Sequence, residues 1–316
     1  MKSYTSTSSY KHENKPSAVA LGCFDGVHKG HAEIISQAIC EAKKSSLVSV
    51  VWSFNSPPKN FFAKSESEKI ALITPINEKK SLIRSLGADV FIGVEFNKKT
   101  AELSPEDFFE EILIKGLCAK HIFCGFNYRF GKNGSGDTAL LQKLCSNKGI
   151  KLSVIDEIKI DGQTVSSSAI RAFLANGDIK NAQKMLGHPY SLRSKVKDGQ
   201  HLGRKLGFPT VNQDLPSSIP LLKNGVYLTK IKISKKTEYG ITNIGIRPTV
   251  KDSRFICETH IFDFSSDLYG KYVTVEFIDF IRKEKKFDSL DGLSAQVKKD
   301  IEKAKLMLNI QQQMEV

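Results

Sequence analysis

Hydrophobic and polar positions in the first half of the chain alternate between two patterns. Short apolar runs, rich in β-branched and aromatic residues, are separated by longer stretches whose apolar residues recur at helical spacing. The runs predict buried strands, and the longer stretches predict amphipathic helices. Strands are expected at residues 19–24, 47–54, 89–96, 122–125 and 152–155, and helices at residues 31–44 and 74–86. This alternation predicts an α/β domain with a parallel, doubly wound sheet.

The second half of the chain shows a different period. Apolar and polar residues alternate at 227–233, 256–262 and 272–280, with no helical stretch between these segments. A period of two predicts antiparallel strands in a sheet or barrel. A final helix is expected from Leu290 onward, with an apolar stripe at Leu293, Val297, Ile301 and Ala304.

The change of period places a domain boundary between residues 186 and 187. Gly187 is a typical helix C-cap, and Pro189 follows it. Residues 1–16 are polar and are predicted to be a disordered tail. The predicted domains are therefore residues 17–186 and 187–316.

Composition excludes several classes of protein. The 316 residues allow two domains, and 40% hydrophobic with 26% charged residues is ordinary for a globular protein. No apolar run has the length of a membrane span, and the N-terminal stretch lacks the apolar core of a signal peptide. The six cysteines are irregularly spaced, which is typical of reduced thiols. We therefore expect a cytoplasmic protein with no membrane partner.

The net charge of +13 raises the question of nucleic-acid binding. The positive charge is spread along the chain, with no basic tail and no arginine-rich helix. Attraction of anionic substrates such as ATP explains the charge equally well. We expect no nucleic-acid partner.

The most informative segment follows the first predicted strand. It reads Gly22-Cys23-Phe24-Asp25-Gly26-Val27-His28-Lys29-Gly30-His31. Glycines let backbone N–H groups approach a phosphate, and the following helix start adds the positive end of its dipole. The imidazoles of His28 and His31 can donate hydrogen bonds to charge that develops in nucleotidyl transfer. The alternatives are two surface histidines or half of a zinc site, but no Cys-x-x-Cys or third histidine lies nearby.

Two further motifs of the first half also follow predicted strands. In residues 125–131, Arg129 could clamp a phosphate while Tyr128 and Phe130 stack or pack; the alternative is a glycine-bounded turn with core aromatics. In residues 165–171, Ser166 and Ser167 offer donors at a helix start, and Arg171 lies one turn further along. The alternative there is a simple serine N-cap.

A fourth motif lies in the second half, at residues 199–212. Its glycines flank two basic residues, which fits a loop around a polyphosphate: Gly199, Gly203, Arg204, Lys205 and Gly207. After Pro209, Thr210 and Asn212 are two positions apart, so on a strand they would face one side and could share a Mg²⁺. The spacing differs from that of the common P-loop.

Together these motifs resemble those of the prokaryotic bifunctional riboflavin kinase/FMN adenylyltransferase (FAD synthetase) family. The resemblance implies an N-terminal, Rossmann-like HxGH nucleotidyltransferase domain and a C-terminal antiparallel β-barrel kinase domain with a terminal helix. It implies that the C-terminal domain converts riboflavin and ATP to FMN and ADP. The N-terminal domain would convert FMN and ATP to FAD and pyrophosphate.

The resemblance also implies roles for individual residues. Glu258 would be the base for the riboflavin 5′-hydroxyl, and His28 and His31 would stabilise charge on the transferred AMP group. The metal ligands would be Thr210 and Asn212. The flavin contacts would be Asn127, Tyr128, Arg129, Phe130 and Arg282. The nucleotide contacts would be Gly22, Phe24, Asp25, Gly26, Gly30, Ser166, Ser167, Arg171, Gly199, Gly203, Arg204, Lys205, Gly207 and Pro209.

The implied ligands are Mg²⁺ with ATP as co-substrate, and riboflavin, FMN and FAD as substrates and products, with no tightly bound redox cofactor. We expect a monomer or a weak homo-oligomer. The chain departs from the family pattern at Pro57, where histidine is common, and at Asn127, where aspartate is common. One alternative is therefore an active kinase with an inactive adenylyltransferase. The other is a flavin-binding regulator, which would have no need of Glu258 or the histidine pair.

Overall fold

The computed structural model describes residues 1–13, 15–198, 207–215, 222–234, 236–248 and 253–314. The chain divides into two compact units, Met1–Ser167 and Ser168–Val316. No helix in these ranges is long and apolar enough to cross a membrane.

The first unit is built on a six-stranded sheet. Its strands are β1 (Lys2–Tyr4), β2 (Ser17–Leu21), β3 (Val48–Phe54), β4 (Val90–Val94), β5 (Ala119–Gly125) and β6 (Lys151–Ile155). They lie in the order β1-β4-β3-β2-β5-β6, and every neighbouring pair is parallel. A small hairpin follows, formed by β7 (Lys159–Ile160) and β8 (Gln163–Thr164). The parallel sheet is as predicted, with β1 added at one edge.

Helices cover both faces of this sheet. They are α1 (Lys29–Lys44), α2 (Lys59–Phe62), α3 (Ile76–Leu86), α4 (Lys98–Glu102), α5 (Pro105–Asp107), which continues as a π-helix (Phe108–Gly116), and α6 (Thr138–Asn147). Successive residues of a strand face opposite ways, so Ala20 packs in the core with Ile35 of α1, whereas Val19 packs in the core with Leu141 of α6. The predicted doubly wound architecture is confirmed.

The N-terminal segment differs from the predicted disordered tail. Residues 2–4 pair with β4, and Tyr10 is buried with its ring 5.2 Å from that of Tyr4. The indole N–H of Trp52 donates to the hydroxyl of Thr7 at 2.9 Å. A three-residue edge strand and one aromatic anchor leave little hydrophobic pattern in a sequence, which is why a polar composition gave the wrong expectation.

The second unit begins with two helices and continues as a closed barrel. The helices are α7 (Ser167–Asn176) and α8 (Ile179–Leu186). Gly187 ends α8 in the left-handed conformation, with its N–H donating to the Gln183 carbonyl, as the sequence predicts. The strands are β9 (Ser191–Lys197), β10 (Thr210–Leu215), β11 (Gly225–Ile233), β12 (Lys236–Pro248), β13 (Ser253–Ile261) and β14 (Tyr272–Lys283).

All neighbouring strands of the barrel are antiparallel, in the closed order β10-β13-β12-β11-β14-β9. A terminal helix, α9 (Leu290–Met314), packs against the barrel. Ala304 is fully buried there, and Val297 and Ile301 lie beside it in the same cluster. The predicted barrel, the terminal helix and these members of its apolar stripe are confirmed.

Candidate active sites

The loop between β2 and α1 lies where the strand order of the first sheet reverses. The chain runs from β2 to β3 on one side and later returns to β5 on the other, so a crevice opens at the carboxyl ends of these strands. Within the loop, Phe24 and Val27 have φ angles of 49° and 41°. This region is uncommon for residues with a side chain. The loop conformation therefore depends on contacts that hold it.

Asp25 supplies one of those contacts. Its side chain is only 2% exposed, and its carboxylate accepts hydrogen bonds from the backbone N–H groups of Ile73 and Thr74 at 3.1–3.2 Å. The N–H of Gly26 donates in return to the Thr74 hydroxyl at 3.1 Å. The structure thus gives Asp25 a role in joining the loop to the segment before α3. A direct contact with nucleotide stays a prediction.

Two serine hydroxyls hold the same loop through its carbonyl groups. Ser167 donates to the Asp25 carbonyl at 2.9 Å, and Ser53 donates to the Cys23 carbonyl at 2.8 Å. Ser167 is thereby brought to the loop, as the sequence predicts for its motif. Ser166 lies just before α7, and Arg171 lies one turn further along α7 within the second unit.

The two histidines form a stacked pair at the start of α1. His28 is the N-cap, with Nδ1 accepting from the His31 N–H at 3.3 Å, and the ring centroids are 3.5 Å apart. A neutral ring that accepts at Nδ1 carries its proton on Nε2, where it can act as a donor. The positive end of the α1 dipole lies at the same place. The arrangement suits an anionic ligand.

The glycines of the motif make room for these rings. A Cβ on Gly22 would lie 2.7 Å from the ring of Phe24, and one on Gly30 would lie 3.3 Å from the ring of His28. Phe24 is fully buried and meets His31 edge-on at 5.3 Å. A larger residue at position 22 would displace Phe24 and, through it, His31.

A cavity of about 590 Å³ adjoins the loop. His31 and Gly22 line it, together with Gly125 and residues 127–131. Much of its wall is aromatic, with side chains from Trp52, Phe54, Phe62, Phe96, Phe108, Tyr128 and Phe130. The volume and the apolar wall with few polar groups are typical of a small-molecule site.

The residue 125–131 motif contributes both packing and charge to this cavity. Phe130 is 5% exposed and pairs its backbone with Gly136, and its ring lies parallel to that of Tyr128. Burial raises the pKa of the Tyr128 hydroxyl, which keeps it neutral. The Arg129 side chain is 62% exposed, 3.7 Å from the Asp137 carboxylate. The structure therefore combines the two interpretations of this motif: core aromatics and an accessible cation.

Pro57, one of the departures from the family pattern, lies just before the short helix α2 and contacts it through its backbone. Its carbonyl accepts from the N–H of Asn60 in the short helix α2, which carries Phe62 into the cavity wall. Residues 57 and 58 thereby support the segment that closes one side of the cavity.

The barrel of the second unit aligns its candidate residues by strand register. Asn212 on β10 lies directly opposite Glu258 on β13, and Asn243 on β12 lies opposite Glu258 on the other side. Directly opposed residues of antiparallel strands face the same way. The three side chains therefore form one row across the sheet.

Thr210 lies two residues before Asn212 on the same face of β10, opposite His260. His260 Nδ1 lies 3.0 Å from the Pro209 carbonyl, and Pro209 and Thr210 line a cavity of about 140 Å³. Mg²⁺ prefers oxygen ligands, so the hydroxyl of Thr210 and the amide oxygen of Asn212 fit a magnesium site by their chemistry. The described residues contain no cluster of three or more His, Cys, Asp or Glu side chains that could hold a metal.

Arg282 is engaged within the chain. Its Nε and Nη2 donate to the Asp300 carboxylate at 2.7–2.9 Å, and its Nη1 donates to the Lys283 carbonyl at 3.0 Å. Asp300 is 3% exposed and belongs to α9. The guanidinium therefore ties β14 to the terminal helix, and its predicted flavin contact stays a prediction. Gly199, Gly203, Arg204 and Lys205 lie outside the described residues, whereas Gly207 is described and has a φ of 81°.

The two units match two family models. The FAD synthetase model matches residues 10–169, and the riboflavin kinase model matches residues 186–308. A bifunctional riboflavin kinase/FMN adenylyltransferase of Bacillus subtilis is 34% identical over 93% of both chains. The Haemophilus influenzae protein of the same name is 35% identical over 92% of this chain and 94% of its own. The chain belongs to this family.

Membership of the bifunctional riboflavin kinase/FMN adenylyltransferase family confirms the resemblance drawn from the motifs. It favours the two-activity prediction over an active kinase alone and over a flavin-binding regulator. A solved structure from Streptococcus pneumoniae, described as a macrolide-efflux protein, has a TM-score of 0.86 at 30% identity and covers 96% of this chain and 98% of its own. That chain shares the fold, and its description applies to it alone.

Several residues of the FAD synthetase domain's cavity were missed by the sequence analysis. Trp52 and Phe54 alternate at the carboxyl end of a predicted strand, and this position could have identified them. Phe96 ends another predicted strand and follows β4, so the same signal applies to it, whereas no local pattern marks Phe62. In the barrel, Asn243 opens a segment, residues 243–249, that resembles the kinase family, but only the strand pairing brings it beside Glu258.

Proposed function

We propose that this chain makes FAD from riboflavin in two ATP-dependent steps at two separate sites. In the first, the riboflavin kinase domain transfers the γ-phosphoryl group of ATP to the 5′-hydroxyl of riboflavin. In the second, the FAD synthetase domain transfers AMP from ATP to the phosphate of FMN. We assign residues 17–186 to the adenylyltransferase and residues 187–316 to the kinase. The observation that carries the proposal is the stacked His28–His31 pair at a helix start beside an aromatic cavity.

In the adenylyl transfer, a phosphate oxygen of FMN attacks the α-phosphorus of ATP. The bond to the bridging oxygen of the β-phosphate breaks, and pyrophosphate leaves with the bonding electrons. His28 and His31 donate hydrogen bonds to the oxygens on which charge increases, assisted by the positive end of α1. No covalent intermediate with the protein is needed.

We assign the aromatic cavity to the flavin of FMN. Its wall offers flat apolar faces to an isoalloxazine ring, and such faces favour stacking. Arg129 is accessible at the same cavity and can pair with a phosphate. Asn127, also in the lining, offers an amide where the family commonly has a carboxylate.

In the kinase step, Glu258 accepts the proton of the riboflavin 5′-hydroxyl as that oxygen attacks the γ-phosphorus of ATP, and ADP leaves. Thr210 and Asn212 would hold Mg²⁺, which supplies neutralisation of the phosphate charges when it is bound with ATP. Asn243, in the same row as Glu258, can orient the carboxylate. We place both reactions in the cytoplasm, in a protein that acts without membrane or nucleic-acid partners.

Chromatography of flavins tests this proposal. Purified protein is incubated with riboflavin and MgATP, and riboflavin, FMN and FAD are separated at successive times. We expect FMN to rise first and FAD to follow. Accumulation of FMN alone would contradict the adenylyl-transfer assignment, and absence of any flavin phosphate would contradict the kinase assignment.

A further inference from the structure

A fully buried lysine lies behind the loop between β2 and α1 (residues 22–28), the histidine loop. Lys79, on α3, is 0% exposed, and its Nζ donates to the backbone carbonyls of Cys23 and Phe54 at 2.8 and 2.9 Å. Burial lowers the pKa of this ammonium group, because a charge loses favourable interaction with water. Removing an ammonium from water is costly unless good hydrogen bonds replace the lost hydration. Here backbone carbonyls from two separate strand ends provide them.

The two carbonyls that Lys79 contacts lie at the carboxyl ends of two neighbouring strands, β2 and β3. Cys23 precedes Phe24, where the left-handed part of the histidine loop begins. Phe54 is the last residue of β3, directly before the segment that carries α2. Cys23 and Phe54 both line the aromatic cavity, whereas Lys79 is absent from its lining. Any effect of Lys79 on bound ligands therefore passes through the backbone that it holds.

Two neighbouring groups reinforce the same restraint. The Ser53 hydroxyl lies 2.8 Å from the Cys23 carbonyl and 3.0 Å from the Phe54 carbonyl, so it shares both acceptors with Lys79. The buried carboxylate of Asp25 binds the N–H groups of Ile73 and Thr74, just before α3. Its negative charge also acts favourably on the Lys79 ammonium. The loop is thus fastened to α3 both before that helix and within it.

We propose that Lys79 is a positioning residue for adenylyl transfer, whose ammonium fixes the histidine loop against the end of β3. The proposal rests on the adenylyl transfer proposed above. Without this contact the two carbonyls would lose a shared charged donor, and the strained backbone at Phe24 would relax. His28 and His31 would then be displaced relative to the phosphates of ATP. Most of the aromatic wall would remain, because Trp52, Phe108 and Tyr128 pack in a core cluster that does not include Lys79.

The test compares four full-length proteins: wild type, Lys79→Met, Ser53→Ala and Ser49→Ala. Ser49 is a matched control, because it also lies buried on β3 but binds the Asp89 carboxylate, away from the loop. The measurements are kcat and KM for FMN in FAD formation. The chain has a single tryptophan, Trp52, which is buried in the first unit, so its fluorescence reports how much of that unit is folded. Riboflavin phosphorylation by the same samples checks the other domain.

We expect Lys79→Met to lower kcat about tenfold or more, since small displacements of catalytic groups have effects of this order. KM for FMN should stay within about twofold, the kinase rate should not change, and Ser53→Ala should show a smaller loss of about threefold. Ser49→Ala should match the wild type. An unchanged kcat in Lys79→Met, or a loss fully explained by the unfolded fraction, would overturn the proposal.

If Lys79→Met does not fold, the comparison of the two serine variants tests the proposal instead. A lower kcat in Ser53→Ala than in Ser49→Ala supports the restraint on the two carbonyls, and equal rates contradict it. Failure of the wild type to form FAD would overturn the adenylyl-transfer proposal and this inference with it.

Discussion

The two candidate sites of this chain are positioned in different ways. In the barrel, Asn212, Glu258 and Asn243 stand in one row because strand pairing sets them side by side. In the first unit, the histidine pair lies on a left-handed loop that depends on buried polar contacts from β3, α3 and the segment before α3. The alignment of paired strands survives the loss of one side chain, because the backbone hydrogen bonds between the strands remain. A loop of this kind does not, because each buried contact is part of what fixes its shape.

The candidate side chains of the two sites also differ in what they contact. On β10 and β13, the candidate residues are proposed to act directly, and their neighbours along the strand face the other way. Around the loop, Asp25, Ser53 and Ser167 are occupied with backbone groups. In the first site, the histidine pair is proposed to contact the reacting groups, whereas Asp25, Ser53 and Ser167 hold the loop in place. Mutations should therefore distinguish these two sets of residues.

The largest expected effect is at the carboxylate of the barrel. Glu258→Gln keeps the shape of the side chain but removes the base, so we expect riboflavin phosphorylation to fall by about a thousandfold. The check is the rate of FMN formation at saturating MgATP. FAD formation from added FMN should remain as in the wild type. A parallel loss of both activities would break the separation between the two sites.

The next effect is at the histidine pair. His28→Ala removes a donor and the N-cap of α1, and we expect FAD formation from FMN to fall by about a hundredfold. The rate of pyrophosphate release with FMN and MgATP measures it, and the kinase rate of the same protein is the control. Adenylyl transfer within a few-fold of the wild type would contradict the role given to the pair.

A smaller effect should appear in stability. Tyr10→Ala removes a buried aromatic anchor from the N-terminal segment, and we expect the first unit to lose about 3 kcal/mol of unfolding free energy. Urea titration followed by Trp52 fluorescence measures this loss. Lys11→Ala, at the adjacent exposed position, is the matched control. Equal midpoints for the two variants would mean that the segment contributes nothing to the fold.

The smallest effect concerns pH. Burial raises the pKa of the Cys124 thiol from 9.0 to about 12. A thiol with a higher pKa in the folded state gives stability that is complete below pH 9, and this stability is lost as the pH rises towards 12. We expect Cys124→Ala to flatten the fall in unfolding free energy above pH 9, whatever its effect at neutral pH. Identical slopes in urea titrations of the variant and the wild type would show that the thiol does not contribute.

Much of the fold was predictable because it repeats a local pattern. The apolar runs gave the parallel strands of the first unit, and the alternation at residues 272–280 gave a barrel strand. The motifs also identified the histidine pair, since both histidines lie within one short segment. Other features depend on contacts between distant segments. Lys79 lies 56 positions from Cys23, and a lysine in an amphipathic helix ordinarily faces water. The ordered N-terminal strand was missed for the same reason, since its partner β4 lies far along the chain.

Complementation between two inactive variants tests the central claim of two independent sites most directly. Glu258→Gln and His28→Ala are each incubated with riboflavin and MgATP, separately and then as an equimolar mixture, and the flavins are separated by chromatography. We predict only traces of flavin phosphate from the first variant, FMN with little FAD from the second, and FAD as the main product of the mixture. A mixture that makes FMN but no FAD, although Glu258→Gln alone still converts added FMN, would contradict the account.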